Sequence, residues 1–258
     1  MKTIDINCDM GELPEQIADG TQEKLMASLT SVNIACGGHA GNASTMRATV
    51  EQALRWKLAI GAHPGYPDRE NFGRTEMNLS PEEIANFVFE QVRALAEIAK
   101  HCGAKLSHVK PHGALYNQAA RSSAIAGAIA DGIARWSKEN IVLVGLAGSQ
   151  MLTVFREKGF PVSAEAFADR RYEPDGSLRS RKFPDSLLHD PKEAAAQALT
   201  IVRDSKLIAA DKRELPVHAQ TICIHGDTPG SVAIASQIAK TLREAGITLA
   251  GLSVLQTR

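Results

Sequence analysis

The sequence predicts an α/β barrel, because short β-branched segments alternate with longer amphipathic segments along its whole length. Strict alternation of strands and helices is typical of a parallel sheet. Seven such units follow one another without a linker, which favours a closed or nearly closed barrel formed by one domain over residues 1–258. An open, doubly wound sheet is the alternative that the same alternation allows.

Seven segments are predicted as strands from their β-branched and apolar residues. They are residues 3–9, 31–37, 58–65, 106–113, 141–148, 161–168 and 221–227. The predicted helices cover residues 43–57, 80–103, 117–138, 149–158, 190–206 and 229–245. The signals are clearest in the second helix, where Ser80 is the N-cap, Pro81 takes the first helical position and Gly103 follows the end. Residues 169–190 are charged and irregular, which predicts a long loop, and long loops in compact domains are often functional.

Composition and charge exclude several classes of function. The formal net charge is zero and 44% of the residues are hydrophobic, so no basic excess indicates nucleic acid binding. The longest apolar run, residues 141–148, is too short to cross a membrane, and the N-terminus lacks the apolar core of a signal peptide. The four cysteines have no CxxC spacing, which favours free thiols and a cytoplasmic location.

Polar side chains alternate along several of the predicted strands. Because successive side chains point to opposite faces of a strand, each of these sets shares one face. The sets are Asp5, Asn7 and Asp9 in the first strand, His108, Lys110 and His112 in the fourth, and Cys223, His225 and Asp227 in the seventh. His63 and Glu165 belong to the third and sixth strands. Barrel enzymes place their chemistry at the C-terminal ends of the strands, and buried charges need partners, so we expect one site there.

Six blocks of the sequence carry a family resemblance. They are DINCDMGE, SVNIACGGHAGN, GAHPGYPD, HVKPHGALYN, EAFADRRY and ICIHGDTPG, in that order along essentially the whole chain. Together they resemble the signature blocks of the LamB/YcsF family, with departures at Gly38, where the family often has an aromatic residue, and at Asn42, where it usually has an acid. The resemblance implies a distorted, seven-stranded (β/α) TIM-like barrel of the glycoside hydrolase/deacetylase type.

The resemblance also implies an activity. It is that of the A component of the ATP-dependent 5-oxoprolinase, which opens the lactam of 5-oxo-L-proline to L-glutamate while ATP is hydrolysed to ADP and phosphate. The implied partners are the B and C subunits, with 5-oxoproline as substrate and ATP as cosubstrate. The chain has neither a GxxxxGK[ST] nor a GxGxxG motif, so the sequence leaves open whether nucleotide binds this chain or a partner.

Opening an unstrained lactam needs a proton acceptor, a proton donor and groups that stabilise developing charge. Lys110 is a candidate clamp for phosphate or carboxylate, or else a buried lysine paired with Asp9 or Glu165. Cys36, with His39 close by, is a weaker candidate for a nucleophile. The predicted catalytic residues are Asp9, His63, Lys110 and His112. The predicted substrate-binding residues are Asn7, Glu12, Asn33, His39, Glu165, Arg170, Tyr172, His225 and Asp227, of which Arg170 and Tyr172 would lie on a loop over the mouth.

Two other functional classes compete with this interpretation. A stand-alone, metal-dependent amidohydrolase or deacetylase would use the zinc-ligand types found at Asp9, His39, His63, His112 and His225, although no HxxxH or HExxH pair is present. A divalent metal ion is therefore compatible with the sequence without being assigned to particular ligands. A non-catalytic barrel that binds carbohydrate or peptide is disfavoured, because only 5% of the residues are aromatic.

Overall fold

The structure is a computed structural model that describes residues 2–137 and 141–252. The strands in these ranges are β1 (Thr3–Met10), β2 (Ser31–Ala35), β3 (Ala59–His63), β4 (His108–Val109), β5 (Val142–Leu146), β6 (Val162–Phe167), β7 (Lys206–Ile208), β8 (Glu214–Pro216), β9 (Thr221–Ile224) and β10 (Thr248–Leu249). The helices are α1 (Pro14–Ala18), α2 (Thr21–Met26), α3 (Ala43–Arg55), α4 (Pro81–His101), α5 (Gly113–Arg121), α6 (Ser123–Trp136), α7 (Gln150–Glu157), α8 (Pro191–Leu199) and α9 (Ser231–Glu244). A π-helical turn, Thr200–Asp204, continues α8.

Seven parallel strands close into a barrel. The order is β1, β2, β3, β4, β5, β6 and β9, and β1 closes the ring because it pairs with both β2 and β9. Asn7 marks the closure, since it is in register with Ser31 on one side and Cys223 on the other. The predicted barrel is confirmed, and the open doubly wound alternative is wrong. Among the described helices, none is both long and apolar enough to cross a bilayer.

The fourth strand is shorter than predicted, and the helix after it begins earlier. Only His108 and Val109 pair as β4, because Pro111 has no N–H to donate. The backbone nevertheless stays extended to His112, whose N–H donates to the Pro64 carbonyl at 2.8 Å. α5 then begins at Gly113, which has a φ of 53°. The predicted helix 117–138 is therefore wrong in its start, and Ser122 divides it into two helices; residue 138 lies outside the described residues.

Three further features were not predicted from the sequence. The short helices α1 and α2 follow β1, β7 and β8 form an antiparallel hairpin, and β10 pairs with the first residues of β1. The region of residues 169–190 is irregular, as predicted, with isolated bridges from Arg170 to Leu187 and from Tyr172 to Leu178.

A tight contact between the loops after β2 and β3 brings two parts of the polar site together. Gln91 of α4 accepts the N–H of Gly65 at 3.0 Å and donates to its carbonyl at 2.8 Å. A Cβ on Gly38 would lie 2.7 Å from that carbonyl oxygen and 2.4 Å from Gln91 Oε1. No aromatic side chain fits at Gly38 with this packing. The contact holds His39 beside His63, with ring centroids 5.5 Å apart.

The N-terminal end of the barrel interior holds a buried carboxyl group, that of Asp5, whose side-chain partners among the described residues are hydroxyl groups. The Thr30 hydroxyl donates to Asp5 Oδ1 at 2.7 Å, and the Ser31 and Thr221 hydroxyls donate to Oδ2. Burial raises the pKa of Asp5 to about 6, although these three hydrogen bonds oppose the shift. Asp5 thus joins β1 to β2 and β9, and its ionised form is disfavoured by its surroundings.

The raised pKa of Asp5 predicts a specific dependence of stability on pH. A carboxyl group that binds its proton more tightly when folded stabilises the fold below its unfolded pKa and loses that contribution as the pH rises through about 6. The loss amounts to about 3 kcal/mol at 1.36 kcal/mol per pKa unit. Asp5→Asn removes the titration, so the unfolding free energy of the variant minus that of the wild type should rise by about 2.4 kcal/mol of this between pH 4 and pH 7. Urea denaturation across this range measures it, and a difference that does not change with pH would contradict the assignment.

Candidate active site

A cavity of about 1140 Å³ opens at the C-terminal ends of the barrel strands. Its lining includes Asp9, Glu12, His63, Lys110, His112 and His225. Four of these, Asp9, His63, Lys110 and His112, are the residues predicted to be catalytic. The strand ends therefore meet in one site, as the sequence predicted.

Lys110 lies between two carboxylates inside the barrel. Its Nζ is 3.0 Å from Asp9 Oδ1, 3.0 Å from Glu165 Oε1 and 3.0 Å from Cys223 Sγ. Burial alone would lower the pKa of Lys110, but Asp9, Cys223 and Glu165 outweigh it and raise the pKa well above its usual range. The predicted pairing of Lys110 with Asp9 or Glu165 is confirmed for both carboxylates.

Three of the predicted substrate-binding residues lie beneath the cavity and hydrogen-bond to this ion-paired group. Asn7 Nδ2 donates to Glu165 Oε1 at 3.0 Å. Asn33 Nδ2 donates to Asn7 Oδ1 and to Asp9 Oδ1, both at 2.8 Å. Tyr116, which was not predicted, donates its hydroxyl proton to Glu165 Oε2 at 2.8 Å. Asn7, Asn33 and Glu165 are almost fully buried, so they orient Asp9 and Lys110 from below.

His108 supports the same network as a neutral ring. Its Nε2–H donates to Asn33 Oδ1 at 2.8 Å, while Nδ1 accepts the Ser107 hydroxyl at 2.7 Å. Burial, together with the nearby charge of Lys110, lowers the pKa of His108 to about 3. The Asn33 amide is thereby held with its oxygen towards His108 and its nitrogen towards Asp9.

Two histidine rings, those of His63 and His112, face each other at the mouth of the barrel. His63 Nδ1–H donates to the Lys110 carbonyl at 2.7 Å, and His112 Nε2–H donates to the Phe72 carbonyl at 2.9 Å. The second nitrogen of each ring faces the other ring, and His63 Nε2 lies 2.9 Å from His112 Nδ1. Phe72 has a φ of 56°, a strained backbone for a bulky residue. This backbone conformation directs the Phe72 carbonyl towards His112.

Glu12 and His39 complete a cluster that could hold a metal ion. Glu12 Oε1 lies 2.9 Å from His39 Nε2, 3.3 Å from His112 Nδ1 and 3.9 Å from His63 Nε2. One ligand atom from each of the four residues lies within 4.8 Å of all the others. These separations bracket the roughly 3.4 Å between two ligands of a tetrahedral zinc ion. Carbonyl acceptors on the far nitrogens of metal-bound histidines are the usual support for such sites.

The protonation states suit the same interpretation. Burial lowers the pKa of His39 and of His112 well below the usual range, and neighbouring histidines add to the effect. Burial raises the pKa of Glu12. Burial also opposes the ionisation of Asp9, but the positive charges of His63 and Lys110 outweigh it and hold the pKa of Asp9 well below its usual range. Neutral imidazoles, such as those of His39 and His112, are ligands that a divalent cation accepts.

His225 forms a second catalytic candidate together with Asp169. Its Nδ1–H donates to Asp169 Oδ1 at 2.9 Å, and its backbone N–H donates to Asp169 Oδ2 at 2.8 Å. Burial would raise the pKa of Asp169, but His225 outweighs it and lowers the pKa. His225 Nε2 has no hydrogen-bond partner among the described residues, and the ring lines the cavity. Asp169 was not predicted as a site residue, although it lies in the EAFADRRY block, two residues beyond β6.

The remaining predicted residues have different positions. The hydroxyl of the buried Tyr172 accepts the Phe167 N–H at 2.6 Å, so Tyr172 anchors the 169–190 loop instead of facing the cavity. Asp227 lines the cavity and pairs with Arg74 at 2.6 Å and with Arg181 at 3.3 Å. Arg170 lines the cavity as well.

The cysteines are poor candidates for nucleophiles. Burial raises the pKa of Cys36 to about 12 and that of Cys8 well above its usual range. The thiol of Cys36 donates to the Ile34 carbonyl at 3.0 Å. The sequence had placed His39 near Cys36, but the ring nitrogen of His39 is directed to Glu12 instead.

The position of Lys110 predicts strong coupling to its two carboxylates. Lys110→Met leaves Asp9 and Glu165 without their cation and should lower the unfolding free energy by about 3–5 kcal/mol. The double variants Lys110→Met/Asp9→Asn and Lys110→Met/Glu165→Gln should each be less destabilised than the sum of their single changes, with a coupling of about 1–3 kcal/mol. Urea denaturation of the single and double variants measures these terms.

A surface lysine provides the matched control for this cycle. Lys158 pairs with Asp131 at 2.7 Å, but both side chains are largely exposed. Lys158→Met should leave the unfolding midpoint nearly unchanged. Additive effects of the Lys110 variants with both carboxylate variants would show that the ion pairs do not stabilise the fold.

Comparisons with known proteins agree with this architecture. The 5-oxoprolinase A subunit from Chloroflexus aggregans is 50% identical over 249 residues, which cover 96% of this chain and 98% of that protein. The crystal structure of the lactam utilization protein from Thermus thermophilus is 38% identical, with a TM-score of 0.88 over 98% of this chain and 100% of the other. A family 4 carbohydrate esterase from Streptomyces lividans shares the fold alone, at 14% identity and a TM-score of 0.50 over 100% of this chain and 96% of the other. Residues 4–257 match the LamB/YcsF family, and the chain belongs to that family.

Proposed function

We propose that this chain is the A component of an ATP-dependent 5-oxoprolinase. In this reaction the lactam of 5-oxo-L-proline is opened to L-glutamate while ATP is hydrolysed to ADP and phosphate, with the B and C subunits as partners. The observation that carries the proposal is the cluster of histidines and carboxylates at the barrel mouth. It occurs in a chain that shares half its residues with a protein named for this activity.

The chemistry of the lactam sets what the site must supply. An unstrained amide is a poor electrophile, and transfer of the γ-phosphoryl group to the lactam oxygen would make its carbonyl carbon a better acceptor for water. Water must then lose a proton as it attacks, and the ring nitrogen must gain one as the C–N bond breaks. The acyl phosphate that results is hydrolysed by a second water to the side-chain carboxylate of glutamate and phosphate. The site therefore needs one proton acceptor and one proton donor on either side of the ring.

Asp9 and His225 are suited to these two roles. Asp9 Oδ1 is held by Lys110 and Asn33, while Oδ2 remains on the side of His63, at 3.2 Å from Nε2. It can accept the proton of an attacking water. His225 has its Nδ1–H fixed by Asp169, which leaves Nε2 for proton transfer to the ring nitrogen.

The four-residue cluster would hold a divalent metal ion. Glu12, His39, His63 and His112 supply its ligand atoms, and the carbonyls of Lys110 and Phe72 fix two of the rings in the required tautomers. A bound divalent ion polarises a carbonyl oxygen and lowers the pKa of a bound water. With this assignment, His63 and His112 act as ligands, and proton transfer falls to Asp9 and His225.

Metal analysis tests the assignment of the cluster. We expect the purified chain, after incubation with zinc and desalting, to retain about one ion per chain, because the four ligand atoms are already in place. His63→Ala and His112→Ala should lower the affinity at least about 10-fold, since each removes a ligand. A chelator should lower the thermal midpoint of the wild type, because an ion bound only by the folded state stabilises it.

A histidine outside the cluster is the control for metal binding. His101 is exposed at the end of α4, where it hydrogen-bonds to the Glu97 carbonyl. His101→Ala should retain the metal content of the wild type. Equal metal content in all three alanine variants would exclude the cluster as the binding site.

The sequence of this chain provides little support for a nucleotide-binding site. The sequence contains neither the GxxxxGK[ST] nor the GxGxxG phosphate-binding motif. We therefore place the ATP site wholly or partly on a partner protein, which would deliver the phosphoryl group to the barrel mouth. This division of labour agrees with the name of the relatives, which describes one component of a multi-subunit enzyme.

A coupled glutamate assay tests the function as a whole. Run on this chain alone, on the partner subunits alone and on the mixture, it should detect ATP-dependent release of glutamate only from the mixture. His225→Ala in this chain should lower turnover of the mixture by roughly 10²-fold or more, as expected for the loss of an acid–base group. The metal content of His225→Ala should remain that of the wild type.

The same assay separates the second candidate function. Robust ATP-dependent turnover by the isolated chain would contradict the need for partners. Turnover without ATP that a chelator abolishes would identify a stand-alone metal-dependent amidohydrolase, which the metal-binding geometry of the cluster keeps as the alternative.

A further inference from the structure

Arg170 is a buried cation that forms no ion pair in the part of the chain that the structure describes. Its side chain lines the cavity, and the residue is only 6% exposed. Nη2 donates to the Arg179 carbonyl at 2.6 Å, whereas Nε has no hydrogen-bond partner. Within residues 2–137 and 141–252, no carboxylate lies in ion-pair contact with it.

The other arginines of the cavity lining are paired. Arg74 and Arg181 contact Asp227, and Arg121 contacts Glu76 at 2.6 Å. Asp169 is adjacent to Arg170 in sequence, but its two oxygens accept hydrogen bonds from His225. Arg170 is therefore the exception among the cavity arginines.

The electrostatics make this arrangement unfavourable without a ligand. Burial and the nearby charge of Arg181 lower the pKa of Arg170 to about 10, although the charge of Asp169 opposes the shift, so the side chain is still charged at neutral pH. A buried charge is normally compensated by a counter-ion or by hydrogen bonds. Because the chain supplies only part of this compensation, an anion that enters the cavity would supply the rest.

We infer that Arg170 binds the carboxylate of 5-oxoproline, an assignment that rests on the proposed function. A guanidinium presents neighbouring N–H donors in a fork that matches a carboxylate. Lys110, the other buried cation of the site, is already paired with Asp9 and Glu165. The carboxylate of the substrate is therefore assigned to Arg170 and not to Lys110.

The neighbours of Arg170 connect this contact to the chemistry. Asp169, which precedes Arg170 in the sequence, accepts the Nδ1–H of His225. Two adjacent residues therefore provide the proposed contact to the substrate carboxylate and the support for the proposed proton donor. Phe167 lines the cavity and stacks on His225, with ring centroids 5.6 Å apart. The methylene groups of a lactam ring could pack against this aromatic face while its carboxylate reaches Arg170.

Three ligands separate the carboxylate contact from binding of the lactam. Calorimetric titration of the chain with 5-oxo-L-proline, 5-oxo-L-prolinamide and 2-pyrrolidinone compares a lactam carrying a carboxylate with two neutral lactams. We expect the wild type to bind 5-oxo-L-proline roughly 10- to 100-fold more tightly than the amide, the range of a charged hydrogen bond. Arg170→Gln should remove this preference and leave the affinity for the two neutral lactams nearly unchanged.

Two further variants guard against loss of folding as an explanation. Arg170→Lys retains the charge without the fork and should keep only part of the preference. Arg181→Gln, on the same loop, should keep it fully. Circular dichroism and thermal unfolding establish that each variant is folded. The preference of the wild type for 5-oxo-L-proline over the amide tests the inference without any variant. A wild type that binds the amide as tightly as 5-oxo-L-proline would overturn the inference.

The remaining outcomes distinguish this inference from the proposed function. If Arg170→Gln keeps the preference for 5-oxo-L-proline, the inference is overturned and the function stands. If that variant loses affinity for inorganic phosphate alone, Arg170 serves a phosphoryl group and the inference is overturned. If the isolated chain binds none of the lactams, the same preference is measured as the ratio of KM values in the mixture with the partner subunits. Absence of turnover there would overturn the proposed function and, with it, this inference.

Discussion

The ammonium group of Lys110 is the interaction on which the polar interior of the barrel depends. Asp5 and Asp9 lie on the same face of β1, yet their pKa values shift in opposite directions. Both are buried, and burial alone favours the protonated form of each. Asp9 is ionised because His63 and Lys110 face it, whereas Asp5 accepts hydrogen bonds from the Thr30, Ser31 and Thr221 hydroxyls. Contact with Lys110 and His63 therefore distinguishes the ionised Asp9 from Asp5.

Backbone carbonyls fix the orientation of two histidine rings in the same site. The carbonyls of Lys110 and Phe72 each accept one imidazole N–H and thereby direct the other nitrogens of His63 and His112 towards Glu12. The segment that leaves β4 thus serves twice, because the Lys110 side chain holds the carboxylates and its carbonyl holds His63. A change in the path of this segment would disturb both the ion-paired group and the histidine cluster.

The sequence predicted the parts of the site that follow strand periodicity. Alternation along β1 placed Asp5, Asn7 and Asp9 on one face; in the structure Asp5 and Asn7 are buried, and Asp9 reaches the cavity. Periodicity could not predict contacts made by loops. Glu12 and His39 are 27 residues apart and meet only because the loops after β1, β2 and β3 pack together around Gly38 and Gln91. The Asp169–His225 pair spans 56 residues and likewise depends on loop packing beyond the ends of β6 and β9.

The size of the cavity indicates how the site would be completed. Its volume of about 1140 Å³ exceeds the roughly 300–1,000 Å³ of small-molecule pockets, whereas 5-oxoproline is a single five-membered ring. The proposed contacts of the lactam lie on Arg170 and His225, and the histidine cluster lies around Glu12. The outer lining, which includes Arg121 and Lys182, remains for a larger group. Because water in an open mouth would weaken the electrostatic interactions inside it, the reaction requires that this outer part be covered. A partner protein that carries the nucleotide would both fill the space and exclude the water.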